Sequence, residues 1–112
     1  MLSISVKELH KKLVSKEDLV LIDVRTKSEH DGFNIGGLLL PLHTLLRNIA
    51  RIPEDKPVVI YCEKGIRSQI AIQRLQQKSD FKNLLNLNGG MDAWINQFGH
   101  SSELQIKAVI GD

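Results

Sequence analysis

The chain has 112 residues, 42% hydrophobic and 25% charged, which is the balance of an ordinary globular domain. This length fits one domain with its own core and leaves no room for a second of ordinary size. Fifteen basic and thirteen acidic residues give a formal net charge of +2, which is too small to indicate nucleic-acid or membrane binding.

The first half of the chain alternates helix and strand patterns. Residues 5–8 read Ser-Val-Lys-Glu, a capping box that predicts a helix, and a short strand is expected before it at about residues 2–4. The apolar run 20–24 is rich in β-branched residues and predicts a buried strand. Polar residues 25–31 predict a loop and a short helix. Apolar residues at helical spacing predict a further helix, namely Leu42, Leu45, Leu46 and Ile49.

The second half continues the alternation. Residues 57–62 predict another buried strand, which runs directly into a loop at 63–65. A helix is expected next, with one apolar face formed by Ile66, Ile70, Ala71 and Leu75. Residues 84–87 predict a last strand, followed by a glycine turn and a short helix at 91–98. Strands that alternate with helices predict an α/β fold with a parallel sheet covered on both faces.

The segment 62–68 is the part of the sequence that indicates chemistry. Ligands of a parallel sheet bind at the carboxyl ends of the strands, where Cys62 ends one predicted strand and Asp23 lies near the end of another. A strand–loop–helix turn there aims backbone N–H groups and a helix N-terminus at the sulfur, which favours a thiolate or a persulfide anion. Lys64 and Arg67 add positive charge.

A lone cysteine at the end of a buried strand is more often an inert small hydrophobic residue. Here Gly65, which permits a tight curl of the loop, and the nearby basic side chains favour a reactive Cys62 that is open to solvent. The candidate catalytic residue is therefore Cys62. The candidate substrate-binding loop consists of Glu63, Lys64, Gly65, Ile66 and Arg67, and the candidate supporting residues are Asp23 and Ser68.

Four segments form a pattern in a fixed order. They are Asp-Val-Arg at the end of 21–25, Glu29 with Gly36-Gly37 through Pro41, Cys-x-x-Gly-x-Arg-Ser at 62–68, and Gly-Gly-x-x-Ala-Trp within 87–94. The pattern covers about residues 4–98 and resembles that of the rhodanese-family single-domain sulfurtransferases. On this resemblance we place a rhodanese-like domain at residues 1–99 and a C-terminal tail of uncertain structure at 100–112.

The resemblance implies a five-stranded parallel sheet flanked by helices on both faces, and a two-step sulfur transfer without a cofactor or metal. A donor such as thiosulfate or another persulfide would load one sulfur atom onto Cys62, and a thiophilic acceptor such as cyanide or a protein thiol would remove it. By the same resemblance, the amides of residues 63–67 face the sulfur and Asp23 orders the site by hydrogen bonding. Arg67 would orient the loop or bind the anionic donor.

Two departures from the family pattern stand out. Residues 32–35 read Gly-Phe-Asn-Ile where the family often has a Gly-His-Ile segment, which affects local packing rather than chemistry. Glu63 stands where thiosulfate-using members often carry Arg. A carboxylate beside Cys62 should repel a doubly negative donor and oppose thiolate formation. We therefore expect modest thiosulfate turnover, with a protein or low-molecular-weight persulfide as the alternative donor.

Two other functions are possible for a protein with this fold. A Cdc25-like phosphatase or arsenate reductase would have the same fold but a Cys-x5-Arg loop, whereas four residues separate Cys62 from Arg67 here, a smaller cradle suited to one sulfur atom. A rhodanese-like domain can also serve as a non-catalytic interaction or redox-sensing module, whose regulatory thiol would look the same in sequence. The pathway and the oligomeric state stay open, since the tail can either cap the domain or form a dimer contact.

The single cysteine excludes an intramolecular disulfide and a cysteine-rich zinc site, and it favours a reducing compartment. No apolar run has the length of a signal peptide or a transmembrane helix, so we expect a cytoplasmic protein.

Several other residues are interpreted as structural. The histidines have no ligand spacing and are expected at the surface or at helix ends: His10, His30, His43 and His100. Arg25 is expected to pair with a neighbouring carboxylate such as Glu29. Trp94 is expected to anchor the last helix in the core, and the turn at 89–90 to allow close packing near the site.

Overall fold

The structure is a computed structural model and describes residues 1–100. The strands are β1 (Ser3–Ile4), β2 (Val20–Asp23), β3 (Leu38–Leu39), β4 (Val58–Tyr61) and β5 (Leu84–Leu87). The α-helices are α1 (Val6–Val14), α2 (Lys27–Gly32), α3 (Ile66–Lys78) and α4 (Gly90–Phe98), and a 3-10 segment (Leu42–Arg51) follows β3. No helix within this part of the chain is long and apolar enough to cross a bilayer. Residues 101–112 of the predicted tail lie outside the described residues.

The strands form one fully parallel sheet in the order β1-β5-β4-β2-β3, which confirms the predicted five-stranded sheet. The central strand is β4, and its Ile60 lies opposite Ile22 of β2 and Asn86 of β5. All four residues of β4 are buried, as expected for a strand covered on both faces. Because the strands run parallel, the carboxyl ends of β2, β4 and β5 meet at one edge of the sheet.

Helices cover both faces of the sheet, also as predicted. Alternate residues of each strand point to opposite faces, so β2 and β4 contribute to two separate cores. Residues of α3 and the 3-10 segment pack with Ile22 and Ile60 on one face. Residues of α1 and α4 pack with Leu21 and Val59 on the other, where Trp94 is fully buried as the expected anchor of α4.

One local prediction is refined by the structure and another was wrong. The helix predicted after β3 is present, as a 3-10 helix with a non-helical residue at Asn48. Side chains there bond to local carbonyls, Thr44 to Pro41 O and Asn48 to Thr44 O, and such bonds compete with regular helix geometry. Ile66 is 63% exposed rather than part of the apolar face of α3. The buried face consists of the predicted Ala71 and Leu75 together with Ser68 and Ile72.

Candidate active site

Cys62 directly follows β4, and the loop after it curls around the sulfur. Its Sγ accepts hydrogen bonds from the backbone N–H of Gly65 at 3.1 Å and of Ser68 at 3.4 Å. Gly65 has φ +88°, a left-handed conformation that favours glycine, and it immediately precedes α3. The first turn of α3 is therefore aimed at the sulfur. Backbone N–H donors in this position stabilise negative charge on the sulfur.

The backbone amides that donate hydrogen bonds to Cys62 Sγ agree only partly with the prediction. Of residues 63–67, Gly65 donates its N–H to Sγ, while the second donor, Ser68, lies one residue beyond that range. The thiol is also less open than predicted, because Cys62 is 1% exposed and belongs to one of the two cores. It follows the central strand of the sheet, so protein surrounds it on most sides. It still lines a surface pocket of about 220 Å³ together with Glu63, Lys64, Ile66 and Arg67.

A buried polar pair lies behind the sulfur. Ser68 Oγ is 3.4 Å from Sγ and donates a short hydrogen bond to Oδ1 of Asn86, and both residues are buried. Because the single hydroxyl proton is engaged by Asn86, Oγ can accept the thiol proton of Cys62. Asn86 was missed by sequence analysis. Its signal was an amide inside the otherwise apolar strand β5.

The turn at 89–90 supports the cysteine loop from the side of α4. The N–H of Met91 donates to Cys62 O and the N–H of Asp92 donates to Glu63 O, both at 2.9 Å. A Cβ built on Gly90 would lie 2.3 Å from Cys62 O, so no side chain fits between the two segments. This confirms the expected close packing at the turn.

The buried pair Asp23 and Arg25 is the centre of a polar network that also includes the half-buried side chains of His30 and Glu63. Arg25 donates from Nε and Nη2 to the Asp23 carboxylate at 3.0 and 2.9 Å, and from Nη1 to Glu63 Oε1 at 3.2 Å. Nδ1 of His30 lies 2.8 Å from Asp23 Oδ2. Burial disfavours the guanidinium charge, but the bonds to Asp23 outweigh this and raise the pKa of Arg25. Hydrogen bonds between Asp23 and Arg25 and between Arg25 and Glu63 thus connect Asp23 with the cysteine loop.

Two sequence interpretations are refined here. Arg25 pairs with a neighbouring carboxylate as expected, but this carboxylate is Asp23, two residues away and fully buried at the end of β2, rather than Glu29. His30 was expected to be a surface or helix-end residue. It does lie in the last turn of α2, yet its ring bonds to Asp23, a contact that its position in the sequence did not reveal.

Glu29 and Arg67 form a second ion pair, here called the rim pair. Arg67 donates from Nη1 and Nη2 to the two carboxylate oxygens of Glu29, both at 2.7 Å. Glu29 also completes a capping box with Thr26 at the start of α2. The Arg67 hydrogen bonds lower the pKa of Glu29 from 4.5 to about 2. The rim pair therefore ties the start of α3 to α2 and offsets the charge of Arg67.

A second carboxyl accompanies Glu63, which the sequence did not reveal. A hydrogen bond with the Asp92 side chain raises the pKa of Glu63, and partial burial adds to this effect, while Arg25 acts in the opposite direction. Asp92 reaches this position because α4 begins beside the loop. The side of the Cys62 pocket that Glu63 lines is therefore acidic, although Asp92 itself does not line the pocket.

The structure thus brings all the predicted site residues to one edge of the sheet. The pocket is lined by Cys62, Glu63, Lys64, Ile66 and Arg67, Gly65 and Ser68 contact the sulfur, and Asp23 lies beneath the loop. Within residues 1–100, no three His, Cys, Asp or Glu side chains lie close enough together to bind a metal ion.

Comparison with known proteins places this fold in a family. The model of the rhodanese-like domain family matches residues 5–97, and the chain belongs to this family. A protein named sulfurtransferase from Allochromatium vinosum is 40% identical over 87 residues, which is 77% of this chain and 80% of that protein.

Two further relatives agree with this placement. The thiosulfate sulfurtransferase GlpE of Coxiella burnetii is 35% identical over 83 residues, 73% of this chain and 77% of that protein. The crystal structure of a rhodanese-like domain protein from Staphylococcus aureus has a TM-score of 0.77 and 30% identity, covering 84% of this chain and 91% of that one.

Proposed function

We propose that this chain is a sulfurtransferase that carries a sulfane sulfur as a persulfide on Cys62. The names of its relatives from Allochromatium vinosum and Coxiella burnetii support sulfur transfer in general. The observation that carries the proposal is the position of Sγ, which borders a pocket while accepting the N–H groups of Gly65 and Ser68. A sulfur held only by aliphatic contacts would have no such stabilisation of its anionic form.

The proposed reaction has two steps with balanced electron flow. The Cys62 thiolate attacks the sulfane sulfur of the donor, a new S–S bond forms, and the electron pair of the broken bond leaves with sulfite or with the donor thiolate. A thiophilic acceptor then attacks the outer sulfur, and the electron pair of the S–S bond returns to Sγ. The Gly65 and Ser68 amides stabilise the negative charge at the start and end of each cycle.

The charges around the pocket favour a persulfide donor over thiosulfate. Glu63 and Asp92 place two carboxyl groups on one side of the loop. The Arg67 guanidinium, which would otherwise attract a dianion, is bound by Glu29. Lys64 is then the pocket-lining cation that has no carboxylate partner within residues 1–100. A doubly negative donor therefore meets little net positive charge, whereas a persulfide carries at most one charge at its reacting end.

Intact mass spectrometry tests the proposal directly. Wild-type protein incubated with thiosulfate or with a glutathione persulfide donor should gain one sulfur atom, which cyanide then removes as thiocyanate. Cys62→Ala should stay unchanged under both conditions. A folded wild-type protein that gains no sulfur from either donor would overturn the proposal and favour the interaction or redox-sensing module. Hydrolysis of a phosphotyrosine mimic by wild type but not by Cys62→Ser would favour the phosphatase instead.

A further inference from the structure

A second cavity of about 260 Å³ adjoins the Cys62 pocket. Arg67 lines both cavities, so they lie side by side at the same edge of the sheet. The second cavity is also lined by His43 from the 3-10 segment and by Arg74 from α3. We propose that it binds the carboxylate of a small peptide thiol or peptide persulfide whose sulfur lies in the Cys62 pocket. This inference rests on the proposed sulfur transfer and names the substrate class.

The charges of this cavity support an anionic ligand. Two of its arginines already have carboxylate partners, since Arg25 is bound by Asp23 and Glu63, and Arg67 by Glu29. Within residues 1–100, neither the Arg74 nor the His43 side chain forms an ion pair or hydrogen bond with another group. Arg74 therefore gives the cavity a positive charge that no residue within 1–100 neutralises, and His43 adds a ring that can form a hydrogen bond. A ligand carboxylate would neutralise the charge of Arg74.

The spacing along α3 indicates the size of the ligand. Arg67 and Arg74 are seven residues apart in one helix, so they lie nearly two turns apart on the same face, about 10 Å along the axis. An extended peptide spans about 10 Å in three residues. Because Arg67 lines the Cys62 pocket, a di- or tripeptide thiol of this length can place its sulfur in that pocket and a terminal carboxylate at Arg74. Thiosulfate and cyanide are too small to reach both places.

The transfer that this cavity would promote is balanced. The peptide thiolate attacks the outer sulfur of the protonated Cys62 persulfide, a peptide S–S bond forms, and the proton stays on the transferred sulfur. The original S–S bond breaks and its electron pair returns to Sγ. In the reverse direction the same peptide persulfide is a donor, so one binding mode would serve both half-reactions.

Acceptor kinetics with matched probes test the inference. The protein is loaded as the Cys62 persulfide and reacted with glutathione, with its glycine monoethyl ester, or with cyanide. Wild type should show a KM about threefold lower for glutathione than for the ester, because one exposed charge pair contributes little more than this. Arg74→Gln should raise the glutathione KM about threefold, leaving kcat and the cyanide reaction unchanged, and should abolish the difference between glutathione and its ester.

The control variant is Arg47→Gln, which removes an exposed arginine of the 3-10 segment that does not line either cavity. It should leave all three reactions unchanged. Equal KM values for glutathione and its ester in wild type would overturn the inference, as would equal effects of the Arg47 and Arg74 variants.

Binding of unreactive S-methylglutathione, followed by NMR shifts, separates this inference from the proposed function. If Cys62 takes up no sulfur but S-methylglutathione binds more weakly to Arg74→Gln than to wild type, the carboxylate site stands and sulfur transfer fails. If Cys62 takes up sulfur normally and S-methylglutathione binds equally to both proteins, sulfur transfer stands and the carboxylate site is overturned.

Discussion

Two arginine–carboxylate pairs flank the Cys62 loop, and they differ in their access to water. The side chains of Arg25 and Asp23 are 3% and 0% exposed, whereas those of Arg67 and Glu29 are 35% and 31% exposed. Both arginines bond to their carboxylates through two nitrogens, so the geometry is similar. The difference lies in what happens when one partner is lost, since water can replace a partner of the exposed pair but not of the buried one.

This difference separates two roles within one site. The network around Asp23 and Arg25 links β2, the loop and α2, and the two buried charges at its centre need each other as partners. The rim pair lies at the border of both cavities, where a ligand can compete with Glu29 for Arg67. We therefore expect stability to depend mainly on the network, and ligand binding to depend more on the rim.

Asp23→Asn should give the largest effect. The change keeps the shape of the side chain but leaves the buried Arg25 with Glu63 as its only carboxylate partner. Loss of one partner of a buried ion pair costs about 3–5 kcal/mol in the free energy of unfolding. The midpoint of urea unfolding measures this.

The control is Asp18→Asn, which removes a carboxylate that is 82% exposed and pairs with Lys56. This variant should lower the free energy of unfolding by less than about 1 kcal/mol. Similar losses in the two variants would contradict the distinction between buried and exposed pairs.

Gly90→Ala tests the support of the loop from the other side. Its Cβ would lie 2.3 Å from Cys62 O, and the residue has φ +56°. Gly36→Ala is a matched control because Gly36 also has positive φ, +95°, but nothing lies within 4 Å of its Cβ position. We expect Gly36→Ala to cost about 1–2 kcal/mol from the backbone conformation alone. Gly90→Ala should cost about 2–4 kcal/mol because the segments must also shift.

Thermal unfolding of both glycine variants gives the comparison, and sulfur loading gives a second readout. Gly90→Ala should slow persulfide formation while Gly36→Ala should not, since only Gly90 contacts the cysteine loop. Equal stability losses would mean that the close approach of the turn does not constrain Cys62.

Arg67→Gln tests the rim pair through pH. Arg67 lowers the pKa of Glu29 from 4.5 to about 2. A carboxyl whose pKa is lower in the folded state stabilises the fold above its ordinary pKa, and this stabilisation is lost as the pH falls through the folded value. The free energy of unfolding of wild type should exceed that of Arg67→Gln by about 1 kcal/mol near neutral pH, a small difference because the pair is partly exposed. This difference in the free energy of unfolding should become smaller as the pH falls from 4.5 toward 2, because Glu29 is protonated over this range.

A double-mutant cycle with Glu29→Gln isolates the pair. The double variant should be no less stable than either single variant, because the interaction is already absent. A gap between wild type and Arg67→Gln that is constant over this pH range would show that Arg67 stabilises the fold by packing rather than by its charge.

The fold was predictable from the sequence because its signals are local. Continuous apolar runs such as 58–61 indicate strands buried on both faces, and the capping box at Ser5 marks the start of α1. The same local rules predicted the helix at residues 42–51 but not its 3-10 form, which accompanies side-chain bonds to carbonyls. Hydrophobic spacing carries no information about such bonds.

The candidate site was predictable as a set of residues but not as a set of partners. The resemblance and the positions of the strand ends predicted that Cys62, Asp23 and Arg67 lie at one edge of the sheet. Which arginine pairs with which carboxylate depends on side-chain paths between segments far apart in sequence, such as Arg67 to Glu29 across 38 residues. For the same reason Asn86 behind the sulfur was missed, since an amide within an apolar strand signals a polar contact but does not show which residue it contacts.

Glu63→Gln should give the smallest effect, and it tests the acidic side of the pocket. The change removes a charge that lines the Cys62 pocket and leaves Arg25 less neutralised. Charges a few ångströms apart in water interact by about 1 kcal/mol, and salt reduces this, so kcat/KM for thiosulfate should rise about threefold. The rise should be smaller for a persulfide donor with less negative charge. Glu54→Gln, an exposed position outside the pocket, should change neither rate. Unchanged or slower thiosulfate kinetics in Glu63→Gln would show that Arg25 already neutralises this carboxylate, and the preference for a persulfide donor would then lose its electrostatic basis.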